Sequence, residues 1–200
     1  PQENESDGEM AADPQADDDT TGSPEKDDGQ EDAEPELLGG SDLEKALDAK
    51  IAARSTADLD MVVKLCESAI EKGLDKNETA QAKRLASATL YEFASQLSAR
   101  TFAIPRDRRW KFYRSQAIPR LKKAIEFDDQ LVDAYILLAK FEALDRRKQK
   151  DAARTIEKAI ELAVDDRAQL SDALVVRAKL ASDNEAKRSG KQKHQRRTHH

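Results

Sequence analysis

No histidine occurs before His194, a single cysteine stands at Cys66, and no glycine lies between Gly73 and Gly190. Each scarcity excludes a class of function. His194, His199 and His200 all fall in a polar basic tail expected to be disordered, and such a segment cannot hold a general base within ångströms of its target. One cysteine forms no intramolecular disulfide and leaves the redox compartment open. It lies on the apolar face of its helix beside Val62, Val63 and Ile70, with no histidine to activate it, and reads as a buried structural thiol. There is no Gly-rich phosphate loop and no cluster of metal ligands. No catalytic, cofactor-binding or metal-binding residue is expected, so the chain reads as non-enzymatic.

Long hydrophobic runs are missing too. None approaches the roughly 20 residues that cross a bilayer, so no membrane span is expected. No signal peptide is visible, but the chain opens on Pro1 rather than Met. Localisation therefore stays open between cytoplasmic and exported after removal of an N-terminal segment.

What is abundant is charge, unevenly placed. Residues 1–40 hold fifteen Asp and Glu against Lys26 alone, a net of −14; residues 187–200 hold six Lys and Arg and no acid. The whole chain carries −6, so residues 41–186 are nearly neutral. Neither end has the apolar content to offset its ordering entropy. The expected organisation is a disordered acidic arm (1–40), a helical domain (41–186) and a disordered basic tail (187–200).

The body reads as seven helices without a strand, since alternating apolar and polar runs are missing. "SDLE" at Ser41–Glu44 has the form of a capping box. Gly73 stands where a left-handed C-terminal cap is expected. "DRAQ" at Asp166–Gln169 precedes the last helix, with "DRRKQK" forming a short basic turn before the sixth.

Self-similarity organises these helices. "ESAIEKGLD" at Glu67–Asp75, "KKAIEFDD" at Lys122–Asp129 and "EKAIELAVDD" at Glu157–Asp166 are three versions of one segment, and a period of this size implies stacked units. Around the last copy the chain resembles the tetratricopeptide repeat (TPR) family. The repeat's first-helix aromatic falls on Tyr135, its leucine and small residue on Leu138 and Ala139, and its second-helix alanine on Ala152. Its closing alanine, aliphatic and acid fall on Ala159, Ile160 and Glu161, with Ala69, Ile70, Ala124 and Ile125 in the equivalent places of the other copies. The pair 78–128 carries an insertion of roughly fifteen residues in its turn. The resemblance implies an all-α, right-handed α-α superhelix of about three helix pairs plus a capping helix. Residues 167–182 are either that cap or the first half of a fourth repeat.

The stretch "RDRRWKFYRSQAIPRLKK", Arg106–Lys123, supports two readings. In one, Trp110 and Tyr113 anchor the core, and the cations form a solvated face. In the other, Arg106, Arg108, Arg109, Lys111, Arg114, Arg120 and Lys123 form a partner-binding patch, since residues 100–123 carry a net of +8. Pro119 either starts a second helix or kinks a longer one.

The resulting expectation is a scaffold that binds a protein or peptide through its repeat surface. Two alternatives stand beside it: polyanion or nucleic-acid binding through residues 100–123, and a helical accessory region of a longer multidomain protein. Nucleic acid is disfavoured by the pI of about 5.3. The acidic arm is itself a candidate partner for the basic segment. One TPR subfamily grips a C-terminal carboxylate with basic residues on its groove-lining helices; here those places hold Leu47, Ile51, Asp133 and Leu137, which excludes that ligand.

Overall fold

Where each helix begins is decided by a few polar contacts. The clearest is at Ser55, whose Oγ accepts the Asp58 N–H at 3.2 Å while the Asp58 carboxylate accepts the Ser55 N–H at 2.8 Å. This reciprocal box satisfies two amides that a helix start leaves without partners. It opens α2 in the computed structural model, which describes residues 37–103 and 109–197 (only the helix backbone beyond 186).

The described residues form seven α-helices and no strand. They are α1 (Gly40–Ala52), α2 (Thr56–Glu71), α3 (Lys76–Ala103), α4 (Trp110–Phe127), α5 (Val132–Ala143), α6 (Gln149–Leu162) and α7 (Arg167–Arg197), with a 3-10 turn, Arg146–Lys148, ahead of α6. The all-α expectation holds here. Four details correct or decide points of the sequence reading.

First, Ser41 does not cap α1. The helix starts at Gly40, two residues earlier than a Ser41 cap would set it, behind Gly39, whose carbonyl accepts the N–H groups of Asp42 (3.0 Å) and Leu43 (3.1 Å). Gly39 is pressed against the end of α2. Its N–H donates to the Gly73 carbonyl at 2.9 Å, and a Cβ there would stand 2.1 Å from the Ala69 carbonyl oxygen. Gly73 itself has φ 89°, the left-handed conformation that glycine tolerates best.

Second, the insertion expected in the turn of the second pair goes largely into α3, which is 28 residues long. Leu90–Ala103 contains neither proline nor glycine, so nothing stops the helix before Pro105. Third, Pro119 lies inside a continuous α4 and does not start a helix of its own. The carbonyl that its ring leaves without a donor belongs to Ser115, which is exposed and open to water. Fourth, α7 runs past the expected boundary at 186 to Arg197. Its continuation is rich in Lys, Arg and Gln, which are good helix formers, with Gly190 the strongest helix breaker against it.

Consecutive helices pack on one another throughout, and the odd-numbered helices also pack in order, α1 on α3, α3 on α5 and α5 on α7. Among the described residues no even-numbered helix brings its backbone close to another even one, and α2 meets α4 only through side chains. The largest core joins α3, α4 and α5 through Leu90, Phe93, Leu97, Tyr113, Leu121, Leu138 and Phe141, and Leu59 and Val63 of α2 pack into it. A second core joins α5, α6 and α7 through Ala139, Ala152, Ile156, Ala159, Ala173 and Val176, with Tyr135 and Ile160 at its edge. Fully buried alanines at 134, 139, 152, 159 and 173 mark where helix backbones approach closely. Toward the amino-terminal end, Ala69 and Ile70 pack with Leu43 and Ala82, while Ala124 and Ile125 belong to the α3–α4–α5 core.

Asp42 ties the first pair together. Its buried carboxylate accepts from Ser68 Oγ at 2.7 Å, from Lys45 Nζ at 3.2 Å and from Lys72 Nζ. The Lys72 hydrogen bond, then those of Ser68 and Lys45, hold this carboxyl well below the usual aspartate range.

Candidate functional site

Helix α4 carries most of the expected partner-binding cations, and the fold divides them. Toward its carboxyl-terminal half, side chains a turn apart reach across to α2. Arg120 Nη2 contacts both carboxylate oxygens of Asp60, at 3.1 and 3.2 Å, and Lys123 pairs with Glu67. The Arg120 guanidinium also lies 3.9 Å from the centroid of the Phe93 ring, and its Nη1 donates to the Gln116 carbonyl and side chain. A guanidinium that is doubly bonded to a carboxylate and stacked on a ring acts as a clamp between helices. Arg120 and Lys123, expected on a partner-binding face, therefore hold α4 to α2.

The amino-terminal end of α4 is built differently. Trp110, expected among the packing residues, is the first residue of the helix and only half-buried, whereas Tyr113 one turn on is buried. Trp110 faces the turn between α5 and α6 across an open depression of about 470 Å³, lined also by Lys111, Arg114, Leu144, Asp145, Arg146 and Arg147. Arg114 is fixed in its wall: its Nε donates to the Phe141 carbonyl at 2.9 Å, and its Nη2 stands 3.6 Å from Asp145 Oδ2. The other oxygen of Asp145 accepts the Arg147 N–H at 2.9 Å, which shapes the 3-10 turn. Lys111 Nζ lies 5.8 Å from the Trp110 ring centroid. Arg109 is exposed, with its guanidinium 5.7 Å from the Tyr113 ring. Arg106 and Arg108 lie outside the described residues, as do residues 1–36 of the acidic arm.

Sequence reasoning missed Leu144, Asp145, Arg146 and Arg147 as neighbours of Trp110. The basic turn was visible, but its apposition to the start of α4 depends on how α4 and α5 pack.

The odd-numbered helices form a separate candidate surface, bridged by polar side chains. Lys50 of α1 pairs with Glu92 of α3, and Gln169 of α7 donates to Asp133 of α5 at 3.4 Å. Where α3 packs on α5, burial and then the Asp133 carboxylate push the Tyr91 phenol above its ordinary range. Of the four positions that excluded a carboxylate grip, Leu137 is buried and Ile51 is 76% exposed.

Nothing at either surface resembles a catalytic constellation. Among the described residues no group of three or more His, Cys, Asp or Glu is placed to hold a metal ion. Cys66 is fully buried, and desolvation pushes its thiol up to about 11. Among the described residues no helix is long and apolar enough to cross a membrane. No protein-family model matches the chain, and no curated protein matches it.

Proposed function

We propose that this chain is a non-catalytic, TPR-like scaffold whose stacked helix pairs bind a peptide or protein partner. One observation carries the reading: α1, α3, α5 and α7 approach one another closely in chain order, whereas the even helices form no such series and α2 meets α4 only through side chains. Stacked pairs of this kind place the first helix of each pair on one shared face and the second helices on the other. In this reading α1–α2, α3–α4 and α5–α6 are the pairs, α7 covers the last open edge, and the stack turns as a right-handed superhelix. The fully buried alanines between successive helices support it, since small residues there allow the close approach that stacking needs. The shared face offers the bridged side chains Lys50, Glu92, Tyr91, Asp133 and Gln169 to an extended peptide.

Selection of a random peptide library on the full chain, followed by hydrogen exchange of the complex, tests this reading. Retained peptides are expected to protect α1, α3, α5 and α7 and to lose affinity on Tyr91→Ala. A library that yields no retained peptide, or protection confined to the even helices, refutes it.

The polyanion alternative is weakened by the same geometry. Arg120 and Lys123, two of the cations it needs, already face Asp60 and Glu67.

A further inference from the structure

We infer that the depression between the start of α4 and the α5–α6 turn is a docking site for a short acidic peptide segment carrying one aliphatic or aromatic side chain. The inference rests on the scaffold reading and deepens it, by adding a site of defined chemistry at the turn end of the third pair, off the odd-helix face.

Three features of the site specify its occupant. The first is charge. Lys111, Arg114, Arg146 and Arg147 surround the depression against a single acid, Asp145. That acid is already engaged, with one oxygen on the Arg147 N–H and the other facing Arg114. Lys111, Arg146 and Arg147 are exposed and form no ion pair with any described residue. Among the described residues the local field is therefore positive, which attracts carboxylates.

The second feature is preorganisation. Arg114 is anchored to the Phe141 carbonyl at 2.9 Å and its side chain is 19% exposed, so little rotamer freedom remains to be lost on binding. The 3-10 turn that carries Arg146 and Arg147 is fixed by the Asp145 side chain. The third is an apolar floor. Trp110 is half-buried and Leu144 is 37% exposed, and they line the same depression. An aromatic anchor ringed by cations offers one apolar side chain a seat, with carboxylates on either flank.

The extent of the patch distinguishes a peptide from a nucleic acid. Binding a phosphate backbone gains affinity by adding cations along a track. Here the track is cut short, because farther along α4 Arg120 and Lys123 are engaged by the carboxylates of α2. What remains among the described residues has the size of a few residues.

The sole tryptophan of the chain lies in the site, so its fluorescence reports occupancy directly. The full chain is titrated with a tryptophan-free peptide in which glutamates and aspartates flank one leucine. A matched peptide with lysine at the acidic positions and an oligouridylate serve as comparisons. The expected result is a saturable change in Trp110 emission with the acidic peptide alone. Affinity should fall at least about tenfold in the double variant Arg146→Glu, Arg147→Glu, and fall with rising salt. Both arginines are exposed, and an unchanged melting temperature verifies that the variant folds; Lys111→Glu provides an independent second test.

Three results overturn the inference: no emission change with the acidic peptide, undiminished affinity in both charge-reversal variants, or tighter binding of the oligouridylate. Loss of the acidic peptide on Tyr91→Ala but not on charge reversal also removes this site, while leaving the scaffold reading intact. Binding here without any library peptide on the odd-helix face keeps this site and overturns the shared-face reading.

Discussion

Replacing Arg120 by alanine separates a clamp from a recognition residue. Its guanidinium meets both Asp60 oxygens at 3.1 and 3.2 Å, with the arginine side chain 21% exposed and the aspartate 43% exposed. At that exposure the ion pair contributes about 0.5–1 kcal/mol, well below its value in a dry interior. The stack 3.9 Å from the Phe93 centroid adds about 0.5–1 kcal/mol. The methylene stem packed along α3 and α4 adds roughly 1 kcal/mol more. Set against these is Arg120 Nε, buried without a partner among the described residues, whose removal returns part of a desolvation cost.

The expected net loss for Arg120→Ala is about 2 kcal/mol. Arg120→Lys keeps the stem and charge but not the planar fork or the stack, and should lose about 1 kcal/mol. Urea unfolding of the full chain at constant slope measures both. The double-mutant cycle with Asp60→Ala should return a coupling of about 0.5–1 kcal/mol. The clamp assignment fails if Arg120→Ala changes stability by less than about 0.5 kcal/mol. It fails equally if that variant loses peptide binding while its unfolding curve is unmoved.

Gly39→Ala should cost about 2–3 kcal/mol, because its Cβ would meet backbone oxygens of Ala69 and Gly73 at 2.1 and 2.7 Å. The adjacent Gly40→Ala, whose Cβ comes no nearer than 3.8 Å to Glu78, should be close to neutral; equal melting temperatures for the two variants contradict this packing. Glu142 is buried with Thr155 Oγ1 donating to it at 2.9 Å, and burial raises its carboxyl above the ordinary range despite that bond and the nearby Lys122 and Lys148, with Asp151 adding to the rise. A raised carboxyl destabilises the fold once the pH passes the unfolded-state value of about 4.3, so Glu142→Gln should raise the melting temperature at neutral pH and lose that advantage near pH 3. The same gain at both pH values shows that charge is not the cause. With its thiol pushed up to about 11 and no exposed surface, Cys66 should resist a disulfide reagent at pH 8 in the native chain and react promptly in denaturant; fast native reaction contradicts its burial.

The helices were legible in the sequence because their signals are local. The alanines of the repeated segment, Ala69, Ala124 and Ala159, recur at comparable positions and are all fully buried. The boundaries that went astray were decided at a distance. Ser41 and Glu44 have the form of a capping box, but the Gly39 N–H bonds to the carbonyl of Gly73 and the helix begins before the serine. Of the two core anchors expected on α4, Tyr113 is buried and Trp110 only half-buried, since periodicity reports which way a side chain points and not whether a neighbouring helix extends far enough to cover it. Arg120 and Asp60 are sixty positions apart, and no spacing rule connects them. The site around Trp110 was half-visible for the same reason, as a basic-aromatic stretch and a basic turn with nothing in the sequence to bring them together.

This geometry changes what a run of like charge means. Residues 100–123 sum to +8 along the chain, yet a partner meets the field that remains after folding has supplied its own carboxylates. Asp60 and Glu67 of α2 answer the cations of the later part of α4, while Asp145, the one acid lining the depression beside its start, is occupied in shaping a turn. Substitutions within the same stretch should therefore fall into two groups. Changes at Arg120 and Lys123 should lower stability and leave acidic-peptide affinity unmoved. Changes at Lys111 should lower affinity and leave stability unmoved, joined by Arg146 and Arg147 from outside the stretch. A graded loss of both properties along the whole stretch, following linear charge alone, is the pattern that this division forbids.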